Sequence, residues 1–347
     1  MSDLVDSLRW LVDIPSETGH EDEICAAIER RLDRFRRVRV GRSLVVGETT
    51  GKPIFLLVGH IDTVPSQGQG PAFVEGGRLH GLGATDMKGG VAVMIHLLED
   101  PLVTEGPFDV IGVFYDAEEG PAAANGLETV LQTVPWLGGA EFGIVLEPSD
   151  GEIQIGCNGA INATVRFMGK SAHSARPWWG ENAITKAGEW LAGMHSRRPE
   201  VFVIDGLEYR EVMSVTTAEG GVARNIIPPS FDLNLNYRFN PGRTVDEATR
   251  ELMAACAAAD AVEVVDAAPA GPVRADHPLV GRLVEASGGR LAAKQGWTDV
   301  ARLGVYGIPA VNYGPGEAIQ AHQADESVRL SDLDEAYSAL RRLLSEG

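Results

Sequence analysis

Four short apolar runs, each ending in acid or histidine, constrain this chain more than any other feature. Ile54-Phe55-Leu56-Leu57-Val58 leads into Gly59-His60-Ile61-Asp62-Thr63-Val64-Pro65, and residues 110–115 lead into Asp116-Ala117-Glu118-Glu119-Gly120. Residues 142–146 lead into Glu147-Pro148-Ser149-Asp150, and residues 308–313 into Gly314-Pro315-Gly316 and then Ala321-His322. Runs this short, without polar alternation, read as strands buried on both faces, as in the parallel sheet of an α/β protein. Open α/β sheets bind their ligands at the carboxyl ends of the strands. One such acid alone reads as a solvated loop residue. Four runs ending alike, with two histidines among them, point to one shared site.

The rest of the chain fits around those strands. Leu4, Leu8, Leu11 and Val12 keep helical spacing, as do Ile24, Ile28, Leu32 and Phe35 after the acidic start Glu21-Asp22-Glu23. Gly81-Leu82-Gly83-Ala84-Thr85-Asp86-Met87-Lys88-Gly89-Gly90 precedes an apolar helix over 91–98, but its spacing is not that of a dinucleotide loop and no strand immediately precedes it. Asp86 stands at a helix entrance, where a capping carboxylate is the simplest reading. His96, inside the helix, reads as structural. Between the third and fourth runs the pattern changes: strand 160–168, helix 182–194, strands 212–217 and 231–239, helix 245–259, strand 262–265. That β-α-β-β-α-β order is ferredoxin-like. The Ala/Pro/Gly-rich stretch 267–273 reads as a return linker, and 279–291 as a helix of the first domain again. The expectation is therefore an α/β, mixed-sheet catalytic domain of residues 1–157 plus 271–347, interrupted by an inserted α+β domain over 158–270.

Charge narrows the partners. Lys and Arg number 30 against 49 Asp and Glu, a net charge of -19, which repels nucleic acid and anionic membrane. No apolar run approaches the roughly 20 residues that span a bilayer, and no basic segment followed by an apolar core opens the chain. A cytoplasmic protein with a small-molecule substrate is expected. Cys25, Cys157 and Cys256 are widely spaced and form no C-x-x-C pair, which argues against a disulfide framework or a thiolate zinc site.

Imidazoles and carboxylates without thiolates suit borderline divalent ions such as zinc, cobalt or manganese. A carboxylate shared between two such ions holds them about 3.5 to 4 Å apart, where they acidify water. Two ions, three carboxylates and one hydroxide are together neutral, which a cleft tolerates. In the pair Glu118-Glu119 one carboxylate can bind metal while the other takes a proton. His60 and Asp62, two apart on an extended segment, share a face, so the carboxylate can lie behind the ring and fix its tautomer.

The stretches 59–65 and 83–89, Glu118-Glu119-Gly120, Glu147-Pro148-Ser149 and His322 together resemble the co-catalytic di-zinc aminoacylase and carboxypeptidase family, in order and over essentially the whole chain. The resemblance implies one metal held by His60, Asp86 and Glu147 and another by Asp86, Glu119 and His322. Asp86 would bridge them, Glu118 act as general base and acid, and Asp62 stand behind His60; the Asp86–Met87 peptide would be cis. It also implies that the inserted domain forms a homodimer, with His173 reaching the partner's site to stabilise the oxyanion and Asn225 and Arg238 touching substrate. Arg176, Arg224, Arg238 and Arg302 are guanidinium candidates for a substrate carboxylate, and a structural ion pair is an equal reading of Arg224 and Arg302. Thr298 is a further substrate-binding candidate. Within the family, Ala172-His173-Ser174-Ala175-Arg176-Pro177, Gly220-Gly221-Val222-Ala223-Arg224-Asn225 and Thr298-Asp299-Val300-Ala301-Arg302 are most similar to its desuccinylase branch. That likeness implies hydrolysis of N-succinyl-LL-2,6-diaminopimelate to LL-diaminopimelate and succinate, in lysine and cell-wall synthesis. Acetylornithine deacetylase, aminoacylase and dipeptidase activities are the alternatives inside the family, and metal or ligand binding without catalysis the alternative outside it.

Overall fold

The structure is a computed structural model that describes residues 2–346. The chain divides into two compact units. One holds the residues up to Gly156, Pro272–Ala293 and the chain from Arg302 onward; the other holds Cys157–Gly271 and Lys294–Ala301.

In the first unit the four apolar runs become the strands Asp109–Tyr115, Ile54–His60, Phe142–Val145 and Ala310–Asn312, side by side in that order and mutually parallel. Almost every residue in them is buried, because the sheet is covered on both faces, and so the runs are apolar without alternation. Ser43–Val46 and Arg37–Val40 extend one edge antiparallel, while Ile153–Ile155 and Leu291–Ala293 extend the other, making an eight-stranded mixed sheet. The helices Ser2–Val12 and Asp22–Arg31 bury Leu8 and Leu11, and Ile24 and Ile28. Helix Gly89–Glu99 is buried on all sides except at His96 and Glu99, since it packs against the sheet, helix Ser2–Val12 and helix Leu330–Ser345 together. His96 is structural: its Nε2 lies 2.8 Å from Ser7 Oγ. The helix approaches the sheet closely only because residue 90 is glycine; a Cβ there would stand 2.3 Å from the Leu146 carbonyl oxygen. A smaller antiparallel sheet of Ser327–Arg329, Arg78–His80 and Phe73–Glu75 aligns the loops that follow residue 80 and precede residue 327.

The second unit is a five-stranded antiparallel sheet in the order Glu200–Ile204, Leu207–Gly220, Ser230–Phe239, Gly159–Met168, Ala261–Ala268. Its three inner strands and the last one follow the expected ferredoxin-like order, and Glu200–Ile204 is an added edge strand absent from the sequence reading. The helix expected over 182–194 is two, Ala183–Lys186 and Gly188–Ser196. Helix Val245–Ala255 begins at a capping box between Thr244 and Glu247. Phe167, Trp190, Leu235, Tyr237, Phe239 and Leu252 fill the core. Residues 294–301, expected in the first domain, group with this one. Gln295 donates to the Glu208 carbonyl at 2.8 Å and accepts from Arg210 N at 3.0 Å, and Trp297 Nε1 donates to the Pro269 carbonyl at 3.1 Å.

Replacing Gly90 by Ala should overpack the contact between helix Gly89–Glu99 and Leu146, costing about 1 to 3 kcal/mol. Urea unfolding measures this, and an unchanged midpoint would show that the helix relaxes freely.

Candidate metal centre

Parallel strands bring their carboxyl ends to one edge of the first unit, and the polar residues predicted from the sequence gather there. His60 ends its strand with its ring buried. Its Nδ1 lies 3.1 Å from the main-chain oxygen of Asp62, so the Nδ1 proton is donated there and Nε2 is the ring nitrogen that faces the neighbouring acids. Nε2 lies 3.2 Å from Asp86 Oδ1 and 3.9 Å from Glu147 Oε1. On the other side of Asp86, His322 Nε2 lies 3.4 Å from Oδ2 and 2.9 Å from Glu119 Oε1. Asp86 is not a helix cap. It sits in the distorted turn Ala84–Lys88, followed by a cis peptide to Met87, and faces both imidazoles.

Asp62 differs in detail from the sequence reading. Its carboxylate stands 3.4 Å from His60 Nδ1, farther than its own carbonyl, and its hydrogen bonds go elsewhere. Oδ1 accepts from Glu118 N at 3.0 Å; Oδ2 accepts from Glu119 N at 3.1 Å and Thr18 Oγ1 at 2.9 Å. Asp62 therefore fixes the turn presenting Glu118 and Glu119 as well as backing His60. Ala117, just before them, has a left-handed φ of 57°, which reverses the chain so that both amides face Asp62.

The electrostatics follow from the crowding of carboxylates. Burial alone would lower the His60 pKa, but Asp62, Asp86 and Glu147 raise it well above the usual imidazole value. His322 is pushed up to about 9, first by its hydrogen bond to Asp86 and further by Glu119. Burial opposes ionisation of Asp86, yet hydrogen bonds from His322 and His60 hold its carboxyl below the ordinary range. Glu119 is raised by burial and by the neighbouring Asp86 charge, against both imidazoles. Such a cluster draws positive charge.

The residues present fit two divalent ions. The ligand atoms of His60, Asp86 and Glu147 lie within 4.8 Å of one another, as do those of Asp86, Glu119 and His322, and Asp86 belongs to both groups. A third group, His60, Glu118 and Glu119, meets the same limit, which places Glu118 beside the centre. Every donor is nitrogen or oxygen, the set that zinc and similar ions accept.

The remaining candidates divide. Arg302 is structural: Nη1 pairs with Glu128 at 2.8 Å and Nη2 reaches the Ala122 carbonyl. His173, Arg176, Asn225, Arg238 and Thr298 belong to the second unit. There His173 pairs through its backbone with Ile226, and Ser174 N donates to the Asn225 carbonyl at 2.9 Å, so His173 and Asn225 are neighbours. Arg176 lies over the Trp179 ring at 5.0 Å. Arg238 is half-buried, with Nε donating to Asn236 Oδ1 at 3.0 Å. Thr298 is buried, and among the described residues its hydroxyl has no hydrogen-bond partner. No role was read from the sequence for Glu326, a buried acid four residues beyond His322, although it ends the stretch Ala321-His322-Gln323-Ala324-Asp325-Glu326 that shares in the family resemblance.

Known proteins resemble this chain over nearly its whole length. A model described as peptidase family M20/M25/M40 matches residues 56–346. A Mycobacterium tuberculosis protein, provisionally named a succinyl-diaminopimelate desuccinylase, is 40% identical over 349 residues, covering 99% of this chain and 98% of its own. The succinyl-diaminopimelate desuccinylase of Corynebacterium glutamicum is 35% identical over 349 residues, with 97% and 94% covered. Among solved structures, a Bacillus subtilis protein described as a dinuclear metal-binding peptidase of the M20 family superposes with a TM-score of 0.72 at 18% identity, over 99% of this chain and 97% of that one. The chain belongs to peptidase family M20/M25/M40 and, with it, to the metal-dependent amidohydrolases.

Proposed function

We propose that the chain hydrolyses the amide bond of N-succinyl-LL-2,6-diaminopimelate, releasing succinate and LL-diaminopimelate, at a centre of two zinc ions. The observation that carries the chemistry is the pair of ligand groups sharing Asp86, with Glu118 beside them. The choice of substrate rests on the two relatives with desuccinylase names, which match nearly the whole chain. His60, Asp86 and Glu147 would hold one ion, and Asp86, Glu119 and His322 the other; cobalt or manganese suits the same donors. When bound, such ions polarise the scissile carbonyl and lower the pKa of water towards about 7.

The side chains do the rest. Glu118 takes a proton from the attacking water, whose oxygen adds to the amide carbon. As the C–N bond breaks, Glu118 returns that proton to the departing nitrogen. Asp62 keeps Glu118 in place through its main-chain N–H. His173 serves the oxyanion: Ala175 N donates to Nδ1 at 3.1 Å, so the proton of the neutral ring sits on Nε2, where it can be given to a developing negative oxygen. In this reading His173 acts in the partner's site of a homodimer. Asn225, Arg176, Arg238 and Thr298 are the proposed substrate contacts, the guanidinium groups binding carboxylate in bidentate fashion. No helix among the described residues is long and apolar enough to cross a membrane, and the proposed setting is the cytoplasm.

Three measurements test this. Glu118→Gln should keep two metal equivalents by elemental analysis and lose about 10²- to 10⁴-fold in kcat; near-normal turnover would remove Glu118 as the base. His173→Ala, still dimeric by analytical ultracentrifugation, should lose about 10²- to 10³-fold in kcat, and full activity in that dimer would rule out its oxyanion role. Zinc-loaded protein should prefer succinyl-diaminopimelate to acetylornithine and to dipeptides, and a higher kcat/KM for either of the others would reassign the substrate.

A further inference from the structure

The turn carrying Asp86 cannot satisfy its own backbone. Within Ala84–Lys88, Asp86 (φ -123°, ψ 94°) and Met87 (φ -129°, ψ 36°) lie outside helical values, so N–H groups at its start need partners from elsewhere. Three of them converge on one side chain. Glu326 Oε2 accepts from Gly83 N at 2.8 Å, and Oε1 accepts from Thr85 N at 2.9 Å and from Asp86 N at 3.0 Å. Glu326 is 2% exposed, and its carbonyl accepts from Gly81 N at 3.1 Å. It belongs to none of the ligand groups found among the described residues. The other end of the turn is tied by Lys88, whose Nζ donates to the Ile14 carbonyl at 2.9 Å.

The connection reaches both imidazole sites. Ser327, next to Glu326, pairs with His80 in the small antiparallel sheet, so the segments 81–86 and 322–326 open from one ladder. One segment ends at Asp86 and the other begins at His322, whose Nε2 stands 3.4 Å from Asp86 Oδ2. Glu326 is what spans the opening. Only a carboxylate offers two acceptor oxygens and no donor; an amide would turn an NH₂ group on at least one of the three N–H groups. Hydrogen bonds to an ionised acceptor are also the stronger kind.

We propose that Glu326 is the positioning residue of the shared ligand. By holding the amides of Gly83, Thr85 and Asp86, it aims one oxygen of Asp86 at each imidazole and so sets the affinity of both ion sites. This rests on the two-ion reading of the centre. Glu326 does not touch the reacting atoms; it acts through Asp86.

The test compares wild type, Glu326→Gln and Glu326→Asp, each stripped of metal and reloaded. Equilibrium dialysis against a competing chelator gives zinc stoichiometry and affinity, visible absorption of the cobalt-loaded proteins reports ligand geometry, and kcat and KM are measured separately. Glu326→Gln should bind zinc about 10- to 100-fold more weakly, change the cobalt spectrum and lower kcat with KM nearly unchanged. Glu326→Asp, which keeps two acceptor oxygens, should recover part of each loss. Wild-type affinities and spectrum in Glu326→Gln, even with a lowered Tm, would overturn the proposal. Should the Gln variant fail to fold, wild-type values in Glu326→Asp would overturn it equally. A wild-type protein that takes up fewer than two ions would instead overturn the two-ion reading, and this inference with it.

Discussion

The Asp86 carboxylate divides its two oxygens between His60 and His322, and the first unit is built so that both can reach it. No short-range interaction assembles the set. His60 and Glu147 come from the ends of neighbouring parallel strands, Glu119 from the turn after a third, and Asp86 and His322 from loops opening off a separate small sheet. Parallel pairing is what makes this possible, since it sends every strand end to one edge. Burying acids so close together is costly unless opposite charge compensates. The imidazoles respond by holding protons more tightly, and Asp86 by holding its own less tightly.

The parts of this arrangement visible in the sequence are those with a linear signature. Residues 54–58, 110–115, 142–146 and 308–313 were readable as strands because burial on both faces removes polar residues from a run, and the acids and histidines that follow stand out against it. The helix over 91–98 was readable for the same reason. Strands of three residues, such as Ile153–Ile155 and Leu291–Ala293, are too short to show a pattern, so the edge of the sheet beyond Ala310–Asn312 was not foreseen. Residues 294–301 follow the second unit through hydrogen bonds of Gln295 and Trp297 to distant backbone groups, and such bonds leave no periodicity. Asp62 shows the same limit at the site itself. Its place beside His60 was legible, but its grip on the amides of Glu118 and Glu119, 56 and 57 residues away, was not.

The chemistry proposed makes a demand on charge. A chain of net charge -19 repels a substrate with several carboxylates, so guanidinium groups must supply local attraction. Arg302 is committed to Glu128 and is not available for that. Arg176 is held against an exposed indole, and among the described residues no acid pairs with it, so the guanidinium is oriented without being neutralised. Arg238 is bonded to a neutral amide, and burial lowers its pKa from the usual guanidinium value.

Asp62 and Glu326 occupy equivalent logical places. Each follows a histidine of the centre within a few residues, His60 in one case and His322 in the other, and each is buried. Each spends its oxygens on main-chain N–H groups of a different loop, the one bearing Glu119 for Asp62 and the one bearing Asp86 for Glu326. Each histidine segment therefore carries a carboxylate that holds main-chain amides next to a candidate metal-binding acid on another segment. Cross-bracing of this kind ties the loops together: each histidine segment is hydrogen-bonded to the backbone around an acid it does not itself contain. The residues so brought together come from five stretches of chain, their nitrogen and oxygen atoms lying within 4.8 Å of one another in each candidate group, and none of them lies in a regular helix.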